Sequence, residues 1–386
     1  MTPSRPAVSP GLVQLQTGDE QQFSIVAERE SSEVRWFVNG IRGGGEEYGR
    51  IDEEGLYIAP PDTPRPAEVS IMAKIKGSVV RYAWSTIVIG SPEGLYSFSG
   101  FWNRQGEDRG ELRDAHEIDL DPSGNLLIVD SMSSRILRFT SEGTFIDELG
   151  AGPGSQQGTF AGPRDLKVDS SGEIYVVDGE NCRIQVFDAG GNFSRCWGQR
   201  GCGPGDLMVP HAIALSPDGL LYVADVGNSR VCVYDRDGKP QRSWGRAGTG
   251  HGEFLAPHGI ATDPNGDVFV VEYRGRCQKF TPDGEFLLDF GNQCAQGRSS
   301  HGDCFYHAIA YDDNGNVYLM ARDTLRNRYN TIDKYNNQGN LVARISLPPG
   351  EDRLMGAKGA VIMDSGRIYV ADNMKDHAGV SIFDPL

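Results

Sequence analysis

One outline recurs six times along the chain, and that repeat constrains the fold more than any other feature. Each copy carries a polar or cationic landmark residue, an apolar strand, a D-x-x-G-type turn, a second apolar strand and a polar loop. The landmarks are His116, Arg164, His211, His258, His307 and Lys358, spaced 47 to 51 residues apart. A turn glycine follows each by eight residues: Gly124, Gly172, Gly219, Gly266, Gly315 and Gly366. Units of about 40–50 residues with four short strands cannot bury their faces alone, and they stack around a ring as propeller blades. Six periods predict an all-β, six-bladed β-propeller over residues 93–386. The outer-strand pattern of Gln241-Arg242-Ser243-Trp244-Gly245 and Phe286-Leu287-Leu288-Asp289-Phe290-Gly291 also occurs early, at Leu95-Tyr96-Ser97-Phe98-Ser99-Gly100. The chain ends on a third strand, Val380-Ser381-Ile382-Phe383. The early strand is therefore expected to complete the last blade, which closes the ring and removes a free edge.

Residues 1–92 lie outside the repeat and read as a small β-sandwich. Short strands such as Gln22–Ala27, Glu33–Val38, Val69–Lys74 and Tyr82–Ile89 alternate with Gly- and Pro-rich turns. Trp36 falls mid-strand, where an aromatic can anchor two facing sheets. The stretches Val34-Arg35-Trp36-Phe37-Val38-Asn39-Gly40 and Gly49-Arg50-Ile51-Asp52-Glu53-Glu54-Gly55-Leu56-Tyr57-Ile58-Ala59-Pro60 resemble bacterial immunoglobulin-like (Ig-like) domains. That resemblance implies a spacer without chemistry of its own.

Glycine makes up 50 of 386 residues and hydrophobic residues only 38%, as suits a turn-rich all-β chain. The net charge of −16 opposes tracking of a phosphate backbone or an anionic lipid surface, so neither nucleic acid nor membrane is expected as a partner. No run of 18 apolar residues occurs, so no membrane-spanning helix is expected. All seven cysteines lie between Cys182 and Cys304. Cys196 with Cys202, and Cys294 with Cys304, are spaced to close loop disulfides in an oxidising compartment; free thiols are the alternative. The reading for location is an exported protein, periplasmic or at the cell surface, in mature form, with the cytosol as the alternative.

Propeller geometry turns spacing into position. The chain descends the inner strand from the landmark, turns at the glycine and climbs the second strand. Fifteen residues after the landmark it is back at the same mouth of the channel. The inner ring is then His116, Arg164, His211, His258, His307 and Lys358. The second ring is Ser131, Gly179, Val226, Tyr273, Arg322 and Asn373. Four of the seven histidines share one repeat position. His116, His211 and His307 come from alternate blades, and three imidazoles around one open point suit a catalytic Zn²⁺. His258, between two of them, reads as a fourth ligand, a supporting group or a substrate contact. Arg164, Arg322 and Lys358 make the mouth cationic within an acidic protein, which points to a small anionic substrate or a peptide terminus.

The repeats resemble NHL repeats, as in Tyr222-Val223-Ala224-Asp225-Val226-Gly227-Asn228-Ser229-Arg230-Val231 and Tyr175-Val176-Val177-Asp178-Gly179-Glu180-Asn181-Cys182-Arg183-Ile184. Arg135, Arg183, Arg230 and Arg276 are expected to tie loops to strand-end acids. With its mouth residues added, the pattern resembles the peptidyl-α-hydroxyglycine amidating lyases. In a cyclically shifted register, the resemblance implies that His211, His307 and His116 are zinc ligands, Tyr273 the catalytic base, and Arg164 and Arg322 the substrate-holding arginines. It also implies a structural Ca²⁺ near Glu117 and the backbone of Ile213, with Glu117 standing where the family has Asp. His258 and Lys358 have no counterpart in the family and are read as substrate contacts. The implied activity is a metal-dependent lyase that cleaves a C–N or C–O bond at a hydroxylated carbon. The competing readings are a non-catalytic propeller that binds a protein or glycan, a Ca²⁺-dependent propeller lactonase, and a lyase of the streptogramin-lyase type. The segments Gly291–His301 and Arg322–Asn330 are where specificity would lie.

Overall fold

The structure, a computed structural model, describes residues 7–10, 12–15, 17–26, 33–61, 68–76, 80–89, 96–273, 275–291, 304–312, 315–323, 330–345, 357–363, 365–374 and 377–385. Over residues 96–385 it forms six four-stranded antiparallel sheets among the described residues. Their inner strands are Ala115–Leu120, Pro163–Val168, Pro210–Leu215, Pro257–Thr262, Cys304–Tyr311 and Ala357–Ile362, and they open blades 1 to 6 in that order. Each contacts the next, and the last contacts the first, so the six sheets form a ring. The second strands are the most apolar, as in Leu126–Asp130, Ile174–Asp178, Leu221–Asp225 and Val268–Glu272. Every residue of these four is buried, because both faces meet neighbouring blades. Six apolar clusters seal the six blade-to-blade seams.

The turns between first and second strands follow from their aspartates. Asp121 Oδ1 accepts the Ser123 and Asn125 N–H groups at 2.9 Å, and Asp263 Oδ1 does the same for Asn265 and Asp267. The following glycine takes the left-handed conformation that a side chain resists, with φ of 81° at Gly124 and 80° at Gly266. The early strand, Tyr96–Asn103, pairs antiparallel with the C-terminal strand His377–Pro385 as the outermost strand of blade 6. The ring is closed as the repeat required.

The expected loop-tying arginines do that job. Arg183 Nε donates to Asp178 at 2.7 Å, Arg230 Nε to Asp225 at 2.9 Å and Arg276 Nε to Glu272 at 2.6 Å, while each guanidinium also meets carbonyls of the preceding loop. Arg135 pairs with Asp130 at 3.2 Å. Of the two readings for Cys196 and Cys202, the structure has the free thiols and not the loop disulfide. Cys196 stands on the outer strand of blade 2 opposite Gln185, and the Cys202 carbonyl is held by Arg230 Nη1 at 3.0 Å, so each is fixed by a separate backbone pairing. Cys294 lies outside the described residues.

Between residues 7 and 89 the described residues form a five-stranded sheet, a four-stranded sheet and a two-stranded ribbon. One apolar cluster joins them, with Trp36, Ile71 and Ile87 from the larger sheet and Ile51 and Tyr57 from the smaller. Gly55 leaves room for the Trp36 indole: a Cβ there would lie 2.9 Å from Trp36 Cζ2. Asn39-Gly40, both at positive φ, turn the hairpin between Glu33–Val38 and Ile41–Arg42.

Candidate active site at the channel mouth

The landmark residues are aimed by a repeated irregularity. In blades 1, 3, 4 and 6 the pairing of inner and second strands skips one residue, and the skipped residues are His116, His211, His258 and Lys358. In blade 2 the break spans Arg164 and Asp165, and in blade 5 it spans His307 and Ala308. A bulged residue is freed from the ladder and its side chain is re-aimed, here toward the channel. Proline directly precedes the landmark in blades 2, 3 and 4 (Pro163, Pro210, Pro257). It has no N–H to give to a ladder and suits a strand's first residue. That Pro-landmark pair was the sequence signal for the bulge.

The four histidines form a chain of ring contacts. Centroids are 5.4 Å apart for His116–His211, 3.5 Å for His211–His258 and 5.3 Å for His258–His307. Tyr273 joins it at 5.3 Å from His258 and 5.7 Å from His307. The second ring thus meets the first, as the 15-residue offset predicted. His116 Nδ1 is 2.8 Å from the Arg164 carbonyl, and His258 Nδ1 is 2.9 Å from the His307 carbonyl. A carbonyl only accepts, so in both rings Nδ1 carries the proton and a neutral ring keeps its Nε2 lone pair. Burial, reinforced by Lys358, Arg164 and His258, pushes His116 well below the ordinary histidine range. Burial and the His258 and His116 rings do the same for His211. Burial is also the main cause that takes His258 down to about 4. All three imidazoles are neutral at pH 7.

The cations differ in what they are free to do. Lys358 Nζ is 2.5 Å from Asp114 Oδ1, which also accepts the Asn373 amide. Its charge is matched inside the protein, which removes the free point charge expected for a substrate. Arg164 makes no ion pair among the described residues, and neither Asp114 nor Asp165 engages it. Its stem lies against Gly179, where a Cβ would sit 2.8 Å from Arg164 Cγ and 3.2 Å from the Pro210 carbonyl. The backbone of Arg322 sits on the second strand of blade 5, paired with Phe305 and Asn330. The Arg322 side chain, residues 292–301 and residues 324–329 lie outside the described residues.

Beneath the imidazoles the channel narrows to a pocket lined by Glu117, Asp165, Lys167, His211, His258 and His307. Lys167 is half-buried among the three carboxylates of Glu117, Asp119 and Asp165, and their charges push it above the ordinary lysine range against the opposing effect of desolvation. Burial pushes Glu117 well up and Asp165 up to about 6. Asp165 Oδ2 accepts the Ile213 N–H at 2.8 Å. The donors do not suit Ca²⁺, because an ammonium already faces these carboxylates and Ile213 directs an N–H toward Asp165. Below this layer lies a cavity of about 250 Å³ toward Thr262 and Tyr311.

For zinc, donor chemistry and assembly separate. Of the three proposed ligands, His116 and His211 have their protonation disfavoured by burial, and the Arg164 carbonyl fixes His116 in the tautomer that offers Nε2, as second partners of metal-bound imidazoles commonly do. Among the described residues, no group of three or more His, Cys, Asp or Glu side chains is gathered as a ligand set. His211 and His258 lie against each other instead.

Comparison with known proteins places the repeats. The NHL repeat pattern matches residues 160–187 and 207–234, in blades 2 and 3. The chain carries NHL repeats. No curated protein matches it. Among solved structures, a streptogramin B lyase is similar at a TM-score of 0.51 and 15% identity, over 75% of this chain and 98% of that one. A catalytically inactive variant of virginiamycin B lyase from Staphylococcus aureus, solved with quinupristin, is similar at 0.50 and 13% identity, over 92% and 100%. A structural genomics protein of unknown function from Bacteroides thetaiotaomicron is similar at 0.56 and 15% identity, over 100% and 99%. These likenesses show the propeller fold.

Proposed function

We propose that the histidine-bearing mouth is the active site of a lyase of the amidating-lyase type, acting on a small anionic or peptidyl substrate hydroxylated at the carbon next to its carboxylate. One observation carries this reading: four imidazoles and a phenol touch in series at one channel mouth, beside a guanidinium with no carboxylate partner among the described residues. His116, His211 and His307 would hold a Zn²⁺ ion once the His211 ring leaves its contact with His258. When bound, the ion would make the substrate hydroxyl more acidic as a Lewis acid. Arg164 binds the substrate carboxylate, for which its planar fork is matched. Arg322, at the second-ring position of blade 5, is assigned the same task. Tyr273, in its phenolate form, would accept the hydroxyl proton and hand it on to the departing nitrogen. The oxygen electron pair then forms the C=O of glyoxylate, the C–N bond breaks, and the nitrogen takes up a proton to leave as an amide. The layer of Glu117, Asp165 and Lys167 floors the site. Two of the similar solved structures are lyases by name, which supports the reaction class.

Residues 1–92 form, in this reading, an Ig-like spacer on an exported protein. The rival reading is a propeller that binds a protein or glycan without catalysis, and metal content separates the two. Elemental analysis of untagged protein is expected to find about one zinc per chain, lost in His211→Ala. Metal that persists at full stoichiometry in the combined His116, His211 and His307 alanine variant overturns the ligand assignment, and metal-free wild-type protein favours the binding module.

A further inference from the structure

The mouth has a second, apolar character that the reaction chemistry does not use. Two residues before the landmark, blades 2, 3 and 4 all take the left-handed conformation: Gly162 at φ 52°, Val209 at 53° and Ala256 at 57°. A β-branched residue is a genuine outlier there, because its Cβ crowds the backbone. Stability favours glycine, which blade 2 has. Val209 nevertheless occupies the strained position, and it is 42% exposed, so its side chain is not there to fill a core. Strain of this kind is kept where it serves a site.

Val209 does not stand alone. Leu255, three residues before His258, is 37% exposed, and Tyr273 is 36% exposed. The Tyr273 N–H donates to the Ala256 carbonyl at 3.2 Å, which ties the Tyr273 main chain to the loop that carries Leu255. Val209 adjoins Pro210, whose carbonyl borders the same spot at Gly179 as the Arg164 stem. The paired charges Lys358 and Asp114, with Asn373, lie on blades 6 and 1, where Met132 is also exposed; Arg164, with no ion pair among the described residues, lies on blade 2, next to the exposed Val209, Leu255 and Tyr273 of blades 3 and 4.

Resting on the lyase reading, we infer that the mouth selects substrates in which an apolar acyl group or side chain directly precedes the carboxylate-bearing end, with that group lying on Val209 and Leu255 while Arg164 holds the carboxylate. The test is calorimetric titration of the full chain with N-acetyl-, N-butanoyl- and N-hexanoylglycine, which carry the carboxylate and amide but no reactive hydroxyl. Affinity is expected to rise with acyl length by up to about fourfold per buried methylene. The rise should flatten in Val209→Gly and in Leu255→Ser, with thermal melts confirming that both variants fold. Val209→Gly should melt no lower than wild type, because it relieves the left-handed strain. If N-acetylglycine binds and the series is flat in wild type, or if the rise survives in both variants, the apolar shelf is wrong while the anion site stands. If no member binds, the anion site itself fails and the shelf with it.

Discussion

At the scale of single residues, the site depends on small groups that make room for large ones. Gly179 is such a place. It occupies the second-ring position of blade 2, where other blades carry a side chain, and Arg164 fills the space. A methyl group there would stand 2.8 Å from Arg164 Cγ and 3.1 Å from the Gly162 carbonyl, so the guanidinium stem has to move. Misplacing a positioning group by about an ångström costs up to about 10²-fold in rate. Gly179→Ala is therefore expected to lower kcat/KM for an α-hydroxyglycine substrate by about ten- to a hundredfold, with circular dichroism unchanged. Wild-type kinetics in this variant would show that Arg164 does not handle substrate. The Arg164 landmark and its offset partner were legible from repeat spacing alone. The pairing of Lys358 with Asp114 was not, because Asp114 lies two residues before a landmark of another blade, 244 residues away in sequence.

At the scale of the element, the inner strand decides what the site residues can do. Its bulge lifts each landmark out of the ladder, and the closed ring packs the landmarks tightly enough to strip water from them. Desolvation, more than any charge, depresses His116, His211 and His258. A group with a lowered folded pKa contributes stability at pH above its unfolded value, near 6.5, and that stability is lost as pH falls toward the folded value. For His258 the window runs from about 6.5 down to about 4. Asp165, raised to about 6, works in the opposite direction and gains stability as pH falls toward 3.8. The His258 contribution is isolated by substitution. In metal-free protein, the loss of stability between pH 7 and pH 5, measured by urea unfolding, should be shallower for His258→Gln than for wild type. Equal losses would mean that His258 is not held neutral by burial. Period, strand order and turn chemistry were all visible in the sequence, because glycine, aspartate and apolar alternation act locally. The bulges leave a trace in the sequence in blades 2, 3 and 4 alone, as proline before the landmark, and the placement of Lys167 among three carboxylates was not visible, since it needs inner strands from different blades to face one another.

At the scale of the whole molecule, closure of the ring is what brings the chemistry together. Strand Tyr96–Asn103 pairs with His377–Pro385, so the first and last parts of the propeller hold blade 6, and blade 6 sets Lys358 and Asn373 against Asp114 of blade 1. The chain carries a net charge of −16, while Arg164 at the mouth has no ion pair among the described residues, so in the proposed reading a small carboxylate meets a cation there. The fold alone does not dictate lyase chemistry, because propellers host many functions and only a site argues for one. The most direct test is glyoxylate release from α-hydroxyhippurate by the purified full chain. Wild type is expected to release glyoxylate and benzamide in equal amounts, with a loss of about 10²-fold or more in Tyr273→Phe and in His211→Ala. Wild-type protein that carries its metal and releases no glyoxylate, or a Tyr273→Phe variant that turns over at the wild-type rate, would contradict the lyase reading.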